Sequence, residues 1–128
     1  MIVIDASAIL AILQDEPGGE YAYTQARGAL LSTVTYSEVL VKISDKGLPV
    51  DKFLGLLARL ELVLVPFGEA EARAAAAIRP QTRGYDISFG DRACLSLALE
   101  RGLPLLNCDH DWTKLDLGID LRMIRERR

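Results

Sequence analysis

Short, largely apolar runs alternate along this chain with longer segments in which apolar residues recur at helical spacing. The runs predict five strands, at residues 2–4, 29–31, 62–65, 103–106 and 121–124. The segments between them predict helices at residues 7–13, 20–27, 36–45, 49–60, 69–79, 88–101 and 109–115, with a polar loop at 81–87. The first run is β-branched throughout, which is typical of a strand buried on both faces. The alternation predicts an α/β fold with a central, mostly parallel sheet flanked by helices.

Length and composition indicate a single domain over residues 1–128, because half of the residues are hydrophobic and no linker or repeat interrupts the pattern. The longest apolar run, residues 62–66, is far too short to span a bilayer, and we find no signal peptide. Cys94 and Cys108 lack metal-binding spacing and are expected to be buried free thiols in a reducing compartment. We therefore expect a cytoplasmic protein with no membrane partner. The basic tail, residues 125–128, is expected to fray.

The net charge of −3, from 18 acids and 15 bases, excludes a protein that holds nucleic acid by bulk positive charge. Contact with RNA would need local basic groups or metal ions. Four basic residues are candidates for phosphate contacts, each with surface exposure alone as the alternative: Arg79, Arg83, Arg92 and Lys114.

Four acids occupy equivalent places, each at a helix beginning near one edge of the predicted sheet. Asp5 follows the first strand and Asp109 the fourth, whereas Glu38 and Asp91 lie in first turns of predicted helices. In open parallel sheets, ligands bind at this carboxyl edge. The four positions therefore predict an acidic site.

Each of these acids also has a purely structural interpretation. Asp5 and Asp109 are suited to cap the helices that follow them, and acids favour helix N-termini. Residues 35–38 fit a capping box that ends in Glu38, and residues 88–91 fit a weaker one that ends in Asp91. Taken one at a time, the four acids are more simply explained as caps.

The expected burial of two of these acids argues for a cation-binding site. Asp91 shares a helix face with Leu95 and Ala98, and Glu38 shares one with Val34 and Val41. A carboxylate that points into an apolar interior is costly unless it is paired or binds a cation. Oxygen ligands without soft donors favour Mg²⁺, with Mn²⁺ as substitute, and such ions catalyse phosphodiester hydrolysis. The chain lacks a GxxxxGK[ST] phosphate loop, a GxGxxG dinucleotide loop and a GxSxG nucleophile elbow.

Four segments resemble, in order, the motifs of PIN-domain ribonucleases: IDASA at 4–8, SEV at 37–39, SFGDRACLSLA at 88–98 and LPLLNCD at 103–109. The GDRACL form, the Asp-Trp pair at 111–112 and the length resemble most the VapC toxins of bacterial VapBC toxin–antitoxin pairs. The resemblance covers essentially the whole chain. It implies a Rossmann-like PIN domain and an Mg²⁺ or Mn²⁺ site formed by Asp5, Glu38, Asp91 and Asp109.

The same resemblance implies an endoribonuclease that cleaves RNA, inhibits translation and is neutralised by a cognate VapB-type antitoxin. It also implies a homodimer. Apolar faces at 53–60 and 36–43 are candidates for the dimer or antitoxin contact.

Three residues near the motifs are open to more than one interpretation. Asn107 stands where the family often has Thr or Ser, and an amide can take the place of the hydroxyl that orients the site. Asp111 either joins the metal ligands or caps its helix and faces water. Ser7 matches a hydroxyl that the family often places near the metal, and its alternative role is a hydrogen bond at the helix start.

Three residues invite a role in catalysis or in RNA binding that the pattern does not require. His110 is expected to be a solvated loop residue, since a metal-bound hydroxide needs no general base. Trp112 and Tyr36 can stack on bases, but Trp112 is better explained by core packing.

Two other functions compete with the nuclease. One is a non-catalytic PIN-like module that binds protein or RNA, which metal-dependent cleavage would exclude. The other is a phosphatase with an aspartyl nucleophile at Asp5, which needs a second Asp where this chain has Ser7.

Overall fold

The structure is a computed structural model that describes residues 1–126. Five parallel strands form one sheet in the order β3-β2-β1-β4-β5. Their bounds are Val3–Ile4 (β1), Leu30–Ser32 (β2), Val63–Val65 (β3), Leu105–Asn107 (β4) and Leu121–Met123 (β5). The predicted α/β fold with a parallel sheet is confirmed, and the β-branched first run is its central strand.

Seven α-helices and one 3₁₀ helix connect the strands over the described residues. The α-helices are Ala6–Leu13 (α1), Gly19–Ala26 (α2), Thr33–Asp45 (α3), Val50–Ala58 (α4), Glu69–Ala77 (α5), Arg79–Thr82 (α6) and Phe89–Arg101 (α7), and the 3₁₀ helix is His110–Lys114. Several predicted boundaries are off by one to three residues, and two of these differences extend or add a helix. Helix α3 begins at Thr33, because the Ser32 hydroxyl accepts a hydrogen bond from the Val34 N–H. The first two residues of the predicted polar loop at 81–87 are helical and belong to the short helix α6.

The core lies in two layers, one on each face of the sheet. Ile4 and Leu106 pack on one face with residues of α1 to α4, and Val3 and Leu105 pack on the other with residues of α7. This alternation is the period of two that a strand imposes. It determines which way each residue at the carboxyl edge of β1 and β4 points.

Two segments that we expected at the surface, residues 53–60 and the tail from residue 125, pack at least partly against the rest of the protein. Phe53, Leu57 and Leu60 are buried in the first layer, so most of the apolar face at 53–60 is core. The expected fraying at 125–128 is wrong at Arg125, whose guanidinium contacts the Pro17 carbonyl at 3.0 Å and Glu16 at 3.6 Å. Residues 127 and 128 lie outside the described residues.

Both cysteines are free thiols, as predicted, but only Cys94 is buried, whereas Cys108 is half-buried. In the part of the chain that the structure describes, no helix is both long and apolar enough to cross a membrane.

Candidate active site

Asp5 lies at the carboxyl end of the central strand and caps helix α1. Its Oδ2 accepts hydrogen bonds from the Ser7 hydroxyl at 2.7 Å and the Ser7 N–H at 3.2 Å. Only 6% of the residue is exposed. Burial raises the pKa of Asp5 above its ordinary value of 3.8; the Ser7 hydrogen bonds oppose the rise and the charge of Asp91 adds to it. The predicted cap is confirmed, and the carboxylate is also strongly desolvated.

Asp91 lies in the first turn of α7 and closes the predicted capping box. The Ser88 N–H donates to its Oδ2 at 3.0 Å, and its own N–H donates to the Ser88 hydroxyl at 3.2 Å. The box fixes the carboxylate at the start of the helix. Because the charge of Asp91 raises the pKa of both Asp5 and Glu38, this cap also lies beside the other two acids.

Glu38 lies in the second turn of α3, not in the first turn, and the predicted capping box at 35–38 does not form because Ser32 caps the helix. The Glu38 carboxylate packs against the backbone of Gly90, where an added Cβ would stand 2.5 Å from Oε1. Burial raises the pKa of Glu38 above its ordinary value of 4.5, Asp91 and Asp5 raise it further, and Lys42 opposes the rise. The bare backbone of Gly90 is thus the surface on which this acid rests.

The face that Glu38 shares with Val34 and Val41 borders an open groove of about 700 Å³, instead of the apolar interior that we predicted. Val41 is 53% exposed there, and Phe89 is 51% exposed and meets Phe67 edge to face at 5.4 Å. Phe89 was missed in the sequence, although an aromatic residue beside the acid motif was the available signal.

Asp109 is exposed at the rim of this edge and caps the 3₁₀ helix, with Oδ1 accepting from the Asp111 N–H at 3.0 Å. The residue before it, Cys108, donates its N–H to the Ser7 hydroxyl at 3.1 Å. Ser7 therefore links Asp5 to the loop that carries Asp109. Asp111 pairs with Lys114 at 3.4 Å on the surface.

The other residues that the sequence suggested for catalysis or RNA contact are mostly packed in the fold or exposed on its surface. His110 is half-buried and its Nε2 lies 2.7 Å from the Arg125 carbonyl oxygen, so the expected solvated histidine is wrong. Trp112 is buried in the second core layer, as predicted. Arg79 and Arg83 are exposed, and the Arg92 Nε is buried without a hydrogen-bond partner among the described residues.

The three acids Asp5, Glu38 and Asp91 lie on three different parts of the chain, and the charge of Asp91 raises the pKa of both Asp5 and Glu38. Lys42 is the only base among the causes that shift the pKa of Asp5 or Glu38. Within residues 1–126, no group of three or more His, Cys, Asp or Glu side chains is close enough to enclose a metal ion directly. The site is a set of oxygen donors, not a closed cage.

Solved structures of toxin–antitoxin complexes contain chains with the same fold. The toxin–antitoxin complex from Klebsiella pneumoniae superposes with a TM-score of 0.75 at 15% identity, over 99% of this chain and 100% of that chain. DNA-bound VapBC from Salmonella typhimurium gives 0.75 at 16% identity, over 97% and 98%. At these identities the likeness establishes the fold alone.

The sequence comparisons identify the family as well as the fold. Residues 2–117 match the family model of the PIN domain. VapC ribonuclease Mb0640 of Mycobacterium bovis is 33% identical over 127 residues, which cover 91% of this chain and 96% of the relative. Ribonuclease VapC28 of Mycobacterium tuberculosis is 32% identical over 127 residues, covering 91% and 92%. The chain therefore belongs to the PIN-domain family and, within it, to the VapC ribonucleases.

Proposed function

We propose that this protein is an Mg²⁺-dependent endoribonuclease that hydrolyses RNA phosphodiester bonds and thereby inhibits translation. One observation carries the proposal: at the carboxyl edge of the sheet, the carboxylates of Asp5, Glu38 and Asp91 lie close enough for the charge of Asp91 to raise the pKa of the other two, which burial raises as well. A protein keeps such a destabilising group of like charges where a cation or a positively charged group completes it.

The donor set fits a hard divalent ion. All candidate ligands are carboxylate oxygens, and the Cys94 thiol close to Asp5 has a pKa raised by burial, which keeps it neutral. The open arrangement suits Mg²⁺ in particular, because this ion retains waters and is typically held by one or two carboxylates together with substrate phosphates. Mn²⁺ would substitute for it.

In the proposed site, Asp5, Glu38, Asp91 and Asp109 hold the ion or its waters. A bound ion would polarise a phosphoryl oxygen and lower the pKa of an attacking water. The chain contributes orientation: Ser7 fixes the Asp5 carboxylate, Ser88 fixes that of Asp91, and the Gly90 backbone supports that of Glu38. Asp109 would join from the rim, and the surface pair with Lys114 argues against Asp111 as a main ligand.

A VapB-type antitoxin is the proposed partner, and a homodimer is the proposed assembly. The structural neighbours include VapBC from Salmonella typhimurium and a toxin–antitoxin complex from Klebsiella pneumoniae, which supports the antitoxin. The cytoplasm, where RNA is available as substrate, is the proposed location of this assembly.

The test is cleavage of a mixed cellular RNA pool by purified protein with Mg²⁺, with Mn²⁺ or with chelator, beside Asp5→Asn and Asp91→Asn variants. We expect discrete fragments that require metal and disappear in both variants. Wild-type cleavage by Asp91→Asn would refute the site. Metal-independent RNA binding without cleavage would favour the alternative, a non-catalytic PIN-like binding module.

A further inference from the structure

Asn107 is the most completely buried polar side chain at the carboxyl edge of the sheet. It ends β4 and is 0% exposed. Neither its amide nitrogen nor its amide oxygen has a hydrogen-bond partner in the described part of the chain. Two unsatisfied polar atoms at a buried position cost folding free energy, and native proteins keep such groups where a ligand or ordered water completes them.

The strand register places this amide beside Asp5. Ile4 is in register with Leu106 on the neighbouring parallel strand, and the Asp5 N–H donates to the Leu106 carbonyl at 3.0 Å. One step further along both strands, Asp5 and Asn107 are neighbours. Adjacent strands lie about 4.8 Å apart.

Both side chains also point to the same face of the sheet. Val3 and Leu105 pack in the core layer of α7, and each lies two residues before Asp5 or Asn107. Because side chains alternate along a strand, Asp5 and Asn107 face that layer too. The start of α7 carries Asp91, whose charge acts on Asp5. The unsatisfied amide is therefore next to Asp5 and on the side of the sheet on which α7 and Asp91 lie.

We propose that Asn107 is a further ligand residue of this site, whose carboxamide oxygen binds, directly or through one water, the divalent cation that Asp5 holds. The inference rests on the proposed function. An uncharged oxygen suits this position because Asn carbonyls are ordinary ligands of hard cations. It also adds an oxygen donor without adding another negative charge beside the buried Asp5 carboxylate.

The test measures Mn²⁺ binding by electron paramagnetic resonance of the free ion, together with the melting temperature in chelator, in the full chain. For Asn107→Leu we expect the Kd for Mn²⁺ to weaken about tenfold or more, as loss of a supporting ligand does. The melting temperature in chelator should stay the same or rise, because two unsatisfied atoms are removed. A merely structural amide predicts the reverse: a lower melting temperature and an unchanged Kd.

Thr35→Val is the matched control. Thr35 is also 0% exposed, and its hydroxyl has no hydrogen-bond partner in the described region. It lies on α3 in line with Val39 and Ile43, which pack in the other core layer. This variant should match Asn107→Leu in stability in chelator and bind Mn²⁺ like the wild type.

Asn107→Asp tests the proposal even where the leucine variant does not fold. It retains the shape of the side chain and supplies an anionic oxygen, so it should bind Mn²⁺ at least twofold tighter and melt at a lower temperature in chelator at neutral pH. Equal or weaker binding overturns the assignment. If neither the wild-type protein nor the Asp5→Asn variant binds Mn²⁺, the result contradicts the proposed function itself. Wild-type binding that Asp5→Asn abolishes but both Asn107 variants retain contradicts only this inference.

Discussion

Burial of Asp5 and Glu38 makes the acidic site a source of instability when no cation is bound. Both carboxyl groups have a raised pKa, chiefly because the surrounding protein removes water from them. A raised pKa means that the folded state holds the proton more tightly than the unfolded chain does. The stabilising contribution is thus complete below the unfolded pKa and is lost as the pH rises through the folded pKa.

Asp5→Asn should remove the part of this pH dependence that Asp5 contributes. In chelator, the wild-type protein should lose stability relative to the variant as the pH rises from about 4 towards neutrality, and the variant should melt at the higher temperature at pH 7. Thermal melts from pH 4 to pH 8 measure the difference. Asp116→Asn, at an exposed acid, is the control and should follow the wild type. Parallel curves for wild type and Asp5→Asn would contradict the desolvation argument.

Ser7 is a positioning residue for Asp5. Its hydroxyl donates to the Asp5 carboxylate and accepts from the Cys108 N–H, so Ser7→Ala removes two hydrogen bonds. We expect a loss of about 1–3 kcal/mol in stability and at least about tenfold in metal-dependent cleavage. Denaturant unfolding and a fluorogenic RNA assay measure both quantities.

Ser96→Ala is the control that separates a loss of cleavage from a loss of stability. Ser96 is also buried and donates to the Ala93 carbonyl at 3.3 Å within α7. This control should reduce stability but leave cleavage unchanged. Equal losses of cleavage in the two variants would show that Ser7 acts only through stability.

At the scale of elements, the packing of α3 on α7 determines where Glu38 lies. A Gly in the first turn of α7 would ordinarily weaken the helix by about 0.5–1 kcal/mol relative to Ala. A methyl group at Gly90 would stand 2.5 Å from Glu38 Oε1, so an alanine there would force the carboxylate to move. The local preference of the helix is thus overridden by a contact between two elements.

Gly90→Ala should therefore displace the Glu38 carboxylate and reduce cleavage at least about tenfold, the effect of a misplaced catalytic group. Gly55→Ala is the matched control, because Gly55 also lies inside a helix but has open space around an added Cβ. The control should raise stability by about 0.5–1 kcal/mol at unchanged activity. Full activity in Gly90→Ala would exclude a role for the position of Glu38.

At the scale of the whole molecule, charge opposes RNA binding. The net charge is −3, and the edge that would receive the phosphate backbone carries the acid group. In the proposed function, a bound cation would therefore supply attraction for the RNA as well as the chemistry.

We expect RNA affinity in Ca²⁺, used as a cation that supports binding with little turnover, to exceed that in chelator at least about tenfold. Fluorescence anisotropy with a labelled single-stranded RNA measures it. Asp91→Asn should bind RNA more tightly than wild type in chelator, since one repulsive charge is absent. Equal affinity with and without cation would place the RNA-binding surface elsewhere.

The order and type of the elements could be predicted from the sequence because they follow local periodicity. The buried β-branched run at 2–4, the five strand positions and the helix at 88–101 all depend on neighbours within one or two turns. That the acids after β1 and β4 lie at one edge of the sheet could also be predicted, since parallel strands end on the same side. For Asp91, the capping box and a position near the other two acids proved compatible, because its carboxylate accepts the Ser88 N–H while its charge raises the pKa of Glu38.

Only the tertiary structure decided which of these acids lie together and what surrounds them. Glu38 rests on Gly90, Asn107 is sealed beside Asp5, and Asp109 stays at the exposed rim. Each of these facts depends on residues that are distant along the chain and are brought together by strand order and helix packing. A local pattern encodes the direction of a side chain on its own element, but burial and the pKa shifts it causes are properties of the assembled sheet.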